Sequence, residues 1–488
     1  MKKKFIVGAV CFLIAAGLGF FGVQFFTKTG FFKVPGELRF ADEILDSEAE
    51  IYRGQFTEIE LDKDLIFSTF FGDSLRAEKE GDENAEYFLV DVFVPTGDFY
   101  ETRDSISSEE FNNLFESGNA SVISVRELDD TKRLLAVDGN FYLETFTNGA
   151  KFKYLKVEGE SEVDREIARE KIAEVIPELP TKETTLSFAQ TGVTALSRNM
   201  NSKFDQVGTG AYFSQNIGVF LSGFDLTHTS NESSFTDWAY SGNICSKWGF
   251  VDTLIGIGLD IVELTGNHNI DCGDQAAIDT VDKYNELGIK TVGGGKTASE
   301  AAEPLNIAQK GNNITFLAYN LSTGGATYDE TPGANQYYEE DAQMRIAEAK
   351  GRGDTVIVDI QYYECNAYAS TYEDPTCDYP ENTPGDEIGL FRSLIDMGAD
   401  VVVGTSAHQA QTYELYNGGA IYYGLGNLFF DQVWWPGTTR SLGLAHYFWN
   451  NKLIQTRRFG TVYDSTYQTR LMNNEELEWF INRLNQAR

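Results

Sequence analysis

The chain has 488 residues, with 39 Lys+Arg against 74 Asp+Glu and a formal net charge of -35. A surface of that sign repels nucleic acid, so nucleic-acid binding is excluded as a role. With 42% hydrophobic and 13% aromatic residues, the chain is too apolar to be disordered and long enough for two or three domains.

Lys2, Lys3 and Lys4 precede an uncharged run from Phe5 to Phe26. That run matches the roughly 20 apolar residues needed to cross a bilayer. Residues 1–4 are read as a cytoplasmic tail and 5–26 as a transmembrane anchor that leaves the bulk of the chain extracytoplasmic. The competing reading is a cleaved signal peptide. It is disfavoured because no small-x-small site follows the run. Residues 27–50 are read as a stalk. Residues 51–180 are read as a small α+β domain with no catalytic constellation. Tyr87–Val94 is a strand expected to stop at Pro95, Ser107 with Glu110 forms a capping box, Lys151–Val157 alternates as a half-exposed strand, and Ser161–Ile176 is an amphipathic helix.

From 181 to about 465, strand and helix patterns alternate, the signature of an α/β sheet domain. Strand-like runs are Thr185–Ala189, Asp260–Leu264, Ile314–Tyr319, Thr355–Ile360, Asp400–Val403 and Ala420–Tyr423. Helical runs lie around Phe213–Leu221, Lys247–Ile257, Gln275–Leu287, Glu340–Ala349 and Glu387–Met397. Residues 466–488 end in an amphipathic helix expected to pack on the outside. Cys245, Cys272, Cys365 and Cys377 are an even set outside the membrane run, which suits disulfides. A Cys365–Cys377 bridge would close a short loop and contribute about 3 kcal/mol. Cys245–Cys272 is the second expected pair.

Polar residues collect after the strands. The densest stretch is Glu263-Leu264-Thr265-Gly266-Asn267-His268-Asn269-Ile270-Asp271-Cys272-Gly273, with Asp274 placed to cap the next helix. Thr227–Glu232, Gln361–Glu364, Gly404–Gln409 and Gly424–Gln432 fall at comparable positions, and three of the four histidines, His228, His268 and His408, lie in these loops. Open α/β sheets bind ligands at such strand ends, so the loops are expected to converge on one sheet edge.

The ordered motifs Thr191-Gly192, Asn231-Glu232, Gly266-Asn267-His268 with Asp271-Cys272-Gly273, Gly398–Gly404 leading to His408, and Tyr423–Asp431 resemble those of CapA-type proteins of capsule and poly-gamma-glutamate synthesis. The resemblance covers roughly Thr184 to Tyr463 and implies a metallophosphatase-like α/β fold, preceded here by the small α+β domain and the transmembrane helix. It also implies envelope polymer or capsule-synthesis machinery as partner. The family's Thr-Gly-Asp motif would supply a metal-binding Asp, where this chain has Val193. Its other histidine motifs meet Gln361 and Ser406. A two-metal site holds its ions about 3.5–4 Å apart and needs a bridging carboxylate. The resemblance therefore implies no dinuclear centre. What remains could hold one divalent ion, with Asn267 and His408 as ligands, or serve as a metal-free acid/base or sugar-binding site.

Two function classes stay open. One is a polymer synthesis, export or assembly factor with a degenerate site. The other is an envelope hydrolase or transferase in which His268 donates a proton and Glu232 or Glu364 is the base. Asn231, Asn267, His408, Asp271 and Asn427 complete the binding set, unless Asn231 and Asn427 only bond the backbone of their own loops. Tyr362, Tyr363, Trp434 and Trp435 either stack on a sugar or pack the core.

Overall fold

The computed structural model describes residues 36–488 except 58, 60, 74–83, 322–323 and 366. The expected anchor over 5–26 and the first residues of the expected stalk lie outside the described residues. Among the described residues no helix is long and apolar enough to cross a membrane.

The chain divides into two compact units. Among the described residues the first comprises 36–94, 124–126 and 145–179, and the second 95–123, 127–144 and 180–488. Two segments inside the expected 51–180 domain thus belong to the second unit. The stalk reading is corrected from residue 36 onward, because Leu38–Phe40 is a strand and Asp46–Gln55 a helix of the first unit. Their apolar residues belong to its core: Ile44, Tyr52 and Phe56 pack with Phe67, Leu155, Val157 and Ile172. The sheet of this unit pairs Leu65–Gly72 antiparallel with Lys151–Gly159, which pairs in turn with the strand beginning at Ala85. That strand does not stop at Pro95. It runs to Asp98 and changes partner, pairing over Thr96–Asp98 with Lys132–Leu134.

In the second unit two sheets face each other. The larger carries, in spatial order, the strands at Lys290, Ile261, Leu226, Leu186, Arg440, Lys452 and Arg470, with Asn427–Phe429 also on the Leu186 strand. The smaller runs Leu305, Asn312, Thr355, Val401, Gly419, Tyr413. The expected single sheet edge is therefore a junction of two sheets. Period-2 alternation explains the sandwich. Along Asn312–Asn320, Ile314, Phe316 and Ala318 join the core shared with Phe188, Leu226 and Ile261 of the opposite sheet. Leu317 and Tyr319 point the other way, to Ala342, Ile346 and Phe391 of the helices Glu339–Arg352 and Glu387–Asp396. The last helix, Asn474–Gln486, is not an external addition: Leu477, Phe480, Ile481 and Leu484 belong to the inter-sheet core.

The inward positions turn polar as the strands approach the loops. His228, read as a loop residue, is fully buried within the strand Leu226–Asn231. Its Nε2 is 3.2 Å from Asp359 Oδ2. The Gln190 amide donates to Asp359 Oδ1 at 2.6 Å, and Gln190 Oε1 lies 3.2 Å from His446 Nε2. His446 Nδ1 is 2.9 Å from the Thr456 hydroxyl. Gln190 Oε1 can only accept, so a neutral His446 carries its proton on Nε2 and accepts at Nδ1. Burial, with His228 nearby, pushes the His446 imidazole down to about 3. Burial and the Asp359 charge push the neighbouring Glu263 carboxyl up to about 7.

Candidate functional site

Above this layer the loops meet. Glu232 follows the Leu226 strand and donates its backbone N–H to Thr194 O at 3.0 Å. A Cβ on Gly266 would lie 2.8 Å from Glu232 Cα. Only glycine lets the Asn267-His268 loop approach this closely. Gly192 plays the same part against the last loop, where an added Cβ would lie 2.0 Å from Gly426 O. Gln361 ends the Thr355 strand at the centre of the floor. Its amide nitrogen lies 3.2 Å from Asn267 Oδ1, 3.2 Å from Ser406 Oγ and 3.5 Å from Glu232 Oε1. A primary amide has two N–H groups, so the longest of these is an electrostatic contact rather than a third full bond.

One wall is built on His408, which is 3% exposed. Its Nδ1 donates to Asn427 Oδ1 at 2.8 Å. The Asn427 amide is fixed in turn by Gln432 Oε1, Thr438 O and the Tyr463 hydroxyl. Asn427 thus orients the imidazole and does more than bond its own loop. His408 Nε2 is 3.7 Å from Glu364 Oε1, an ion-pair distance beyond hydrogen-bond length. Burial opposes charge on His408, yet the nearby Glu364 and Glu232 carboxylates outweigh it and raise the imidazole to about 9. Burial likewise opposes ionisation of Glu364, but His408, His268 and the Tyr368 hydroxyl hold it down to about 2. Glu232 is fully buried, and desolvation raises its carboxyl above the ordinary range although both histidines pull the other way.

His268 Nδ1 is 2.7 Å from Asp271 Oδ2. The helix that follows starts at Asp274, and Gly273, at φ +86°, occupies the cap position assigned to Asp274 in the sequence. Asn231 is turned to its own loop, donating to Ser233 O at 2.9 Å. Both expected disulfides are present: Cys245–Cys272 and Cys365–Cys377. The first ties a loop to the residue after Asp271, and the second closes the loop that carries Tyr368.

The model of the bacterial capsule synthesis protein PGA_cap family matches residues 187–432, half of the chain and every loop just described. The chain belongs to that family. It is 30% identical over 202 residues to the PGA biosynthesis protein CapA of Bacillus subtilis, covering 40% of this chain and 49% of that one. It is 26% identical over 183 residues to the capsule biosynthesis protein CapA of Bacillus anthracis, covering 36% and 41%. A probable polyglutamine synthesis accessory protein of Mycobacterium tuberculosis is 27% identical over 194 residues, covering 37% and 48%. The chain thus spans less than half the length of each of these curated relatives.

Val193 is fully buried against Ala195 and Phe430. The centre of the floor holds the Gln361 side chain, whose amide nitrogen faces Asn267, Ser406 and Glu232. Among the described residues no group of three or more His, Cys, Asp or Glu side chains is placed to share one metal ion.

Two features of the site were not singled out from the sequence. Arg198, at φ +50°, stacks its guanidinium 4.4 Å over Phe430 and bonds Asp431, whose other oxygen accepts from Asn199. Tyr368 donates to Glu364 Oε2 at 3.2 Å and lies 6.0 Å from the His408 ring. An isolated Arg before a helix and one Tyr among many carry no spacing signal. The aromatic set divides: Tyr362 is buried against Phe391 in the outer core, whereas Trp435 contacts Tyr368 at 5.5 Å.

Proposed function

We propose that this chain is a membrane-anchored, extracytoplasmic component of capsule or envelope-polymer synthesis, export or assembly. Its scaffold is metallophosphatase-like, and its cleft works without a dinuclear metal centre. Membership of the PGA_cap family and the names of the relatives support the pathway. The charge pattern at the N-terminus supports the anchor. The observation that carries the reading of the cleft is the Gln361 amide among Asn267, Ser406 and Glu232.

Elemental analysis of the purified chain beside a Val193→Asp, Gln361→His, Ser406→His variant tests it. The wild type is expected to hold fewer than two tight divalent ions per chain, and the folded variant to gain metal. Two ions in the wild type would overturn the reading. In the producing strain, deletion of the gene is expected to reduce surface polymer. Unchanged polymer would remove the chain from that process.

A second reading, a hydrolase or transferase using metal-free acid/base chemistry, rests on the His268–Asp271 pair and the buried Glu232. There His268, held by Asp271, is the proton donor and Glu232 or Glu364 the base. Restoration of surface polymer by a His268→Ala chain in the deletion strain would count against it.

A further inference from the structure

The cleft combines a stepped aromatic path with a floor of unpartnered acceptors, and together these specify a ligand. Ring contacts lead inward from solvent. Trp434 is 50% exposed and lies 5.4 Å from Trp435. Trp435 lies 5.5 Å from Tyr368, which lies 6.0 Å from His408. The path is held stiffly: the Trp435 carbonyl accepts from the Thr438 hydroxyl at 2.9 Å, and the Cys365–Cys377 bridge closes the loop beneath Tyr368. At its inner end, Glu232 Oε2 and Gln361 Oε1 are buried with no hydrogen-bond partner. Both residues are completely buried. Orphaned acceptors are costly unless something donates to them. A ligand suited to this site brings O–H or N–H groups to these acceptors and a flat C–H face to the aromatic rings.

The charge of the cleft narrows the choice. Glu364 and Asp271, both partly exposed, bring negative charge to the cleft. The guanidinium of Arg198 is already held by Asp431 over Phe430. A polycarboxylate would meet like charge here, and the net charge of -35 adds to the repulsion.

We infer that the Trp434–Trp435–Tyr368 path and the Glu232–Gln361 floor form a binding site for a neutral pyranose chain, stacked on the aromatics and donating hydroxyl or amide hydrogens to the floor. This rests on the polymer-handling reading above and names its ligand class.

The test is titration of the full chain in detergent, followed by tryptophan fluorescence and calorimetry. Three probes of equal length are used: a β-1,4-linked N-acetylglucosamine tetramer, a β-1,4-linked glucose tetramer and a γ-linked glutamate tetramer. At least one neutral sugar is expected to bind, with little dependence on salt. Preference between the two separates a wall-type from a plain glucan source. The glutamate tetramer is expected to bind at least about tenfold more weakly. Trp434→Ala, at a half-exposed position, is expected to weaken sugar binding by about threefold or more. Gln361→Leu, which removes both the amide donor and the orphan acceptor, is expected to weaken it further. Failure of both sugars to bind, equal or tighter binding of the glutamate tetramer, or unchanged affinity in Trp434→Ala would overturn the inference. If the sugars fail while deletion of the gene still reduces surface polymer, only the ligand class falls and the wider role stands.

Discussion

The buried layer between the two sheets and the cleft above it draw on the same residue types and ionise in opposite ways. Below, Gln190, His228, Glu263, Asp359 and His446 are all fully buried. There burial pushes His446 down to about 3 and Glu263 up to about 7, so both favour their neutral forms near pH 6. Above, His408 is raised to about 9 and Glu364 lowered to about 2 by each other's company, so both are charged. The difference is the partly exposed carboxylate. Glu364, with 36% of its side chain in solvent, keeps enough hydration to stay ionised and so stabilises an imidazolium that is itself buried. In the lower layer Gln190 joins Asp359 to His446, whereas the upper one keeps an ion pair.

Removing a member of each layer should separate these roles. Asp359→Ala strips the Gln190 amide and His228 of their partner inside the sandwich. A loss of about 3–5 kcal/mol is expected in denaturant unfolding of the second unit, as for other buried partners left alone. A loss below about 1 kcal/mol would mean that the layer is wetter and looser than described.

The second largest effect is expected from Cys365→Ser with Cys377→Ser, which opens the loop bearing Tyr368. Loss of a bridge spanning 12 positions should cost about 3 kcal/mol. It should also release the Tyr368 hydroxyl from Glu364, visible as a change in tyrosine environment. Unchanged stability would show that the loop is held by its packing alone.

The pH dependence sharpens the contrast further. Glu263, at about 7, and Glu387, buried and pushed to about 8 by desolvation, keep their protons in the fold after the unfolded chain has lost them. The fold therefore binds more protons, and stability falls as pH rises from about 4.5 to 8. His408 acts with the same sign: its contribution is complete below about 6.5 and is lost as pH rises through about 9. His446 opposes them only below 6.5, where the unfolded imidazole takes up a proton that the buried one refuses until about 3. Thermal midpoints should therefore fall from pH 5 to pH 8. A rise over that interval would contradict the assignment of the buried carboxyls.

A smaller stability change than in either of these variants is expected from Glu364→Gln, because His408 can shed its proton when its partner loses its charge. Its signature is elsewhere: the His408 imidazole, followed by NMR, should titrate well below 9. An unmoved titration would place the origin of its shift in Glu232 instead.

Much of the larger unit was legible in the residues. All six expected strand runs fall on strands of the two sheets, because buried Val/Ile/Leu runs such as Thr355–Ile360 leave little choice. The helix expected at Gln275–Leu287 is found at Asp274–Glu286. Harder to see were the strands whose inward positions are polar. Leu226-Thr227-His228-Thr229-Ser230-Asn231 reads as a loop until the opposite sheet supplies Asp359 and the neighbouring strand Gln190. The split into two sheets was also hidden, since alternation says which face is buried but not which strand pairs with which. In the site, Glu364 and His408 could be named from the loops. The place of Gln361 at the centre of the floor could not, because it depends on Asn267, Ser406 and Glu232 arriving from three other strand ends.

The helix Asn474–Gln486 carries a consequence for biogenesis. Because Leu477, Phe480, Ile481 and Leu484 complete the inter-sheet core, that core cannot close until synthesis has passed Leu484. At about 5–20 residues per second, the strand starting at Leu186 waits on the order of 15–60 s for its last packing partners. Throughout that delay Leu186, Phe188, Leu226 and Ile261 lack part of their cover.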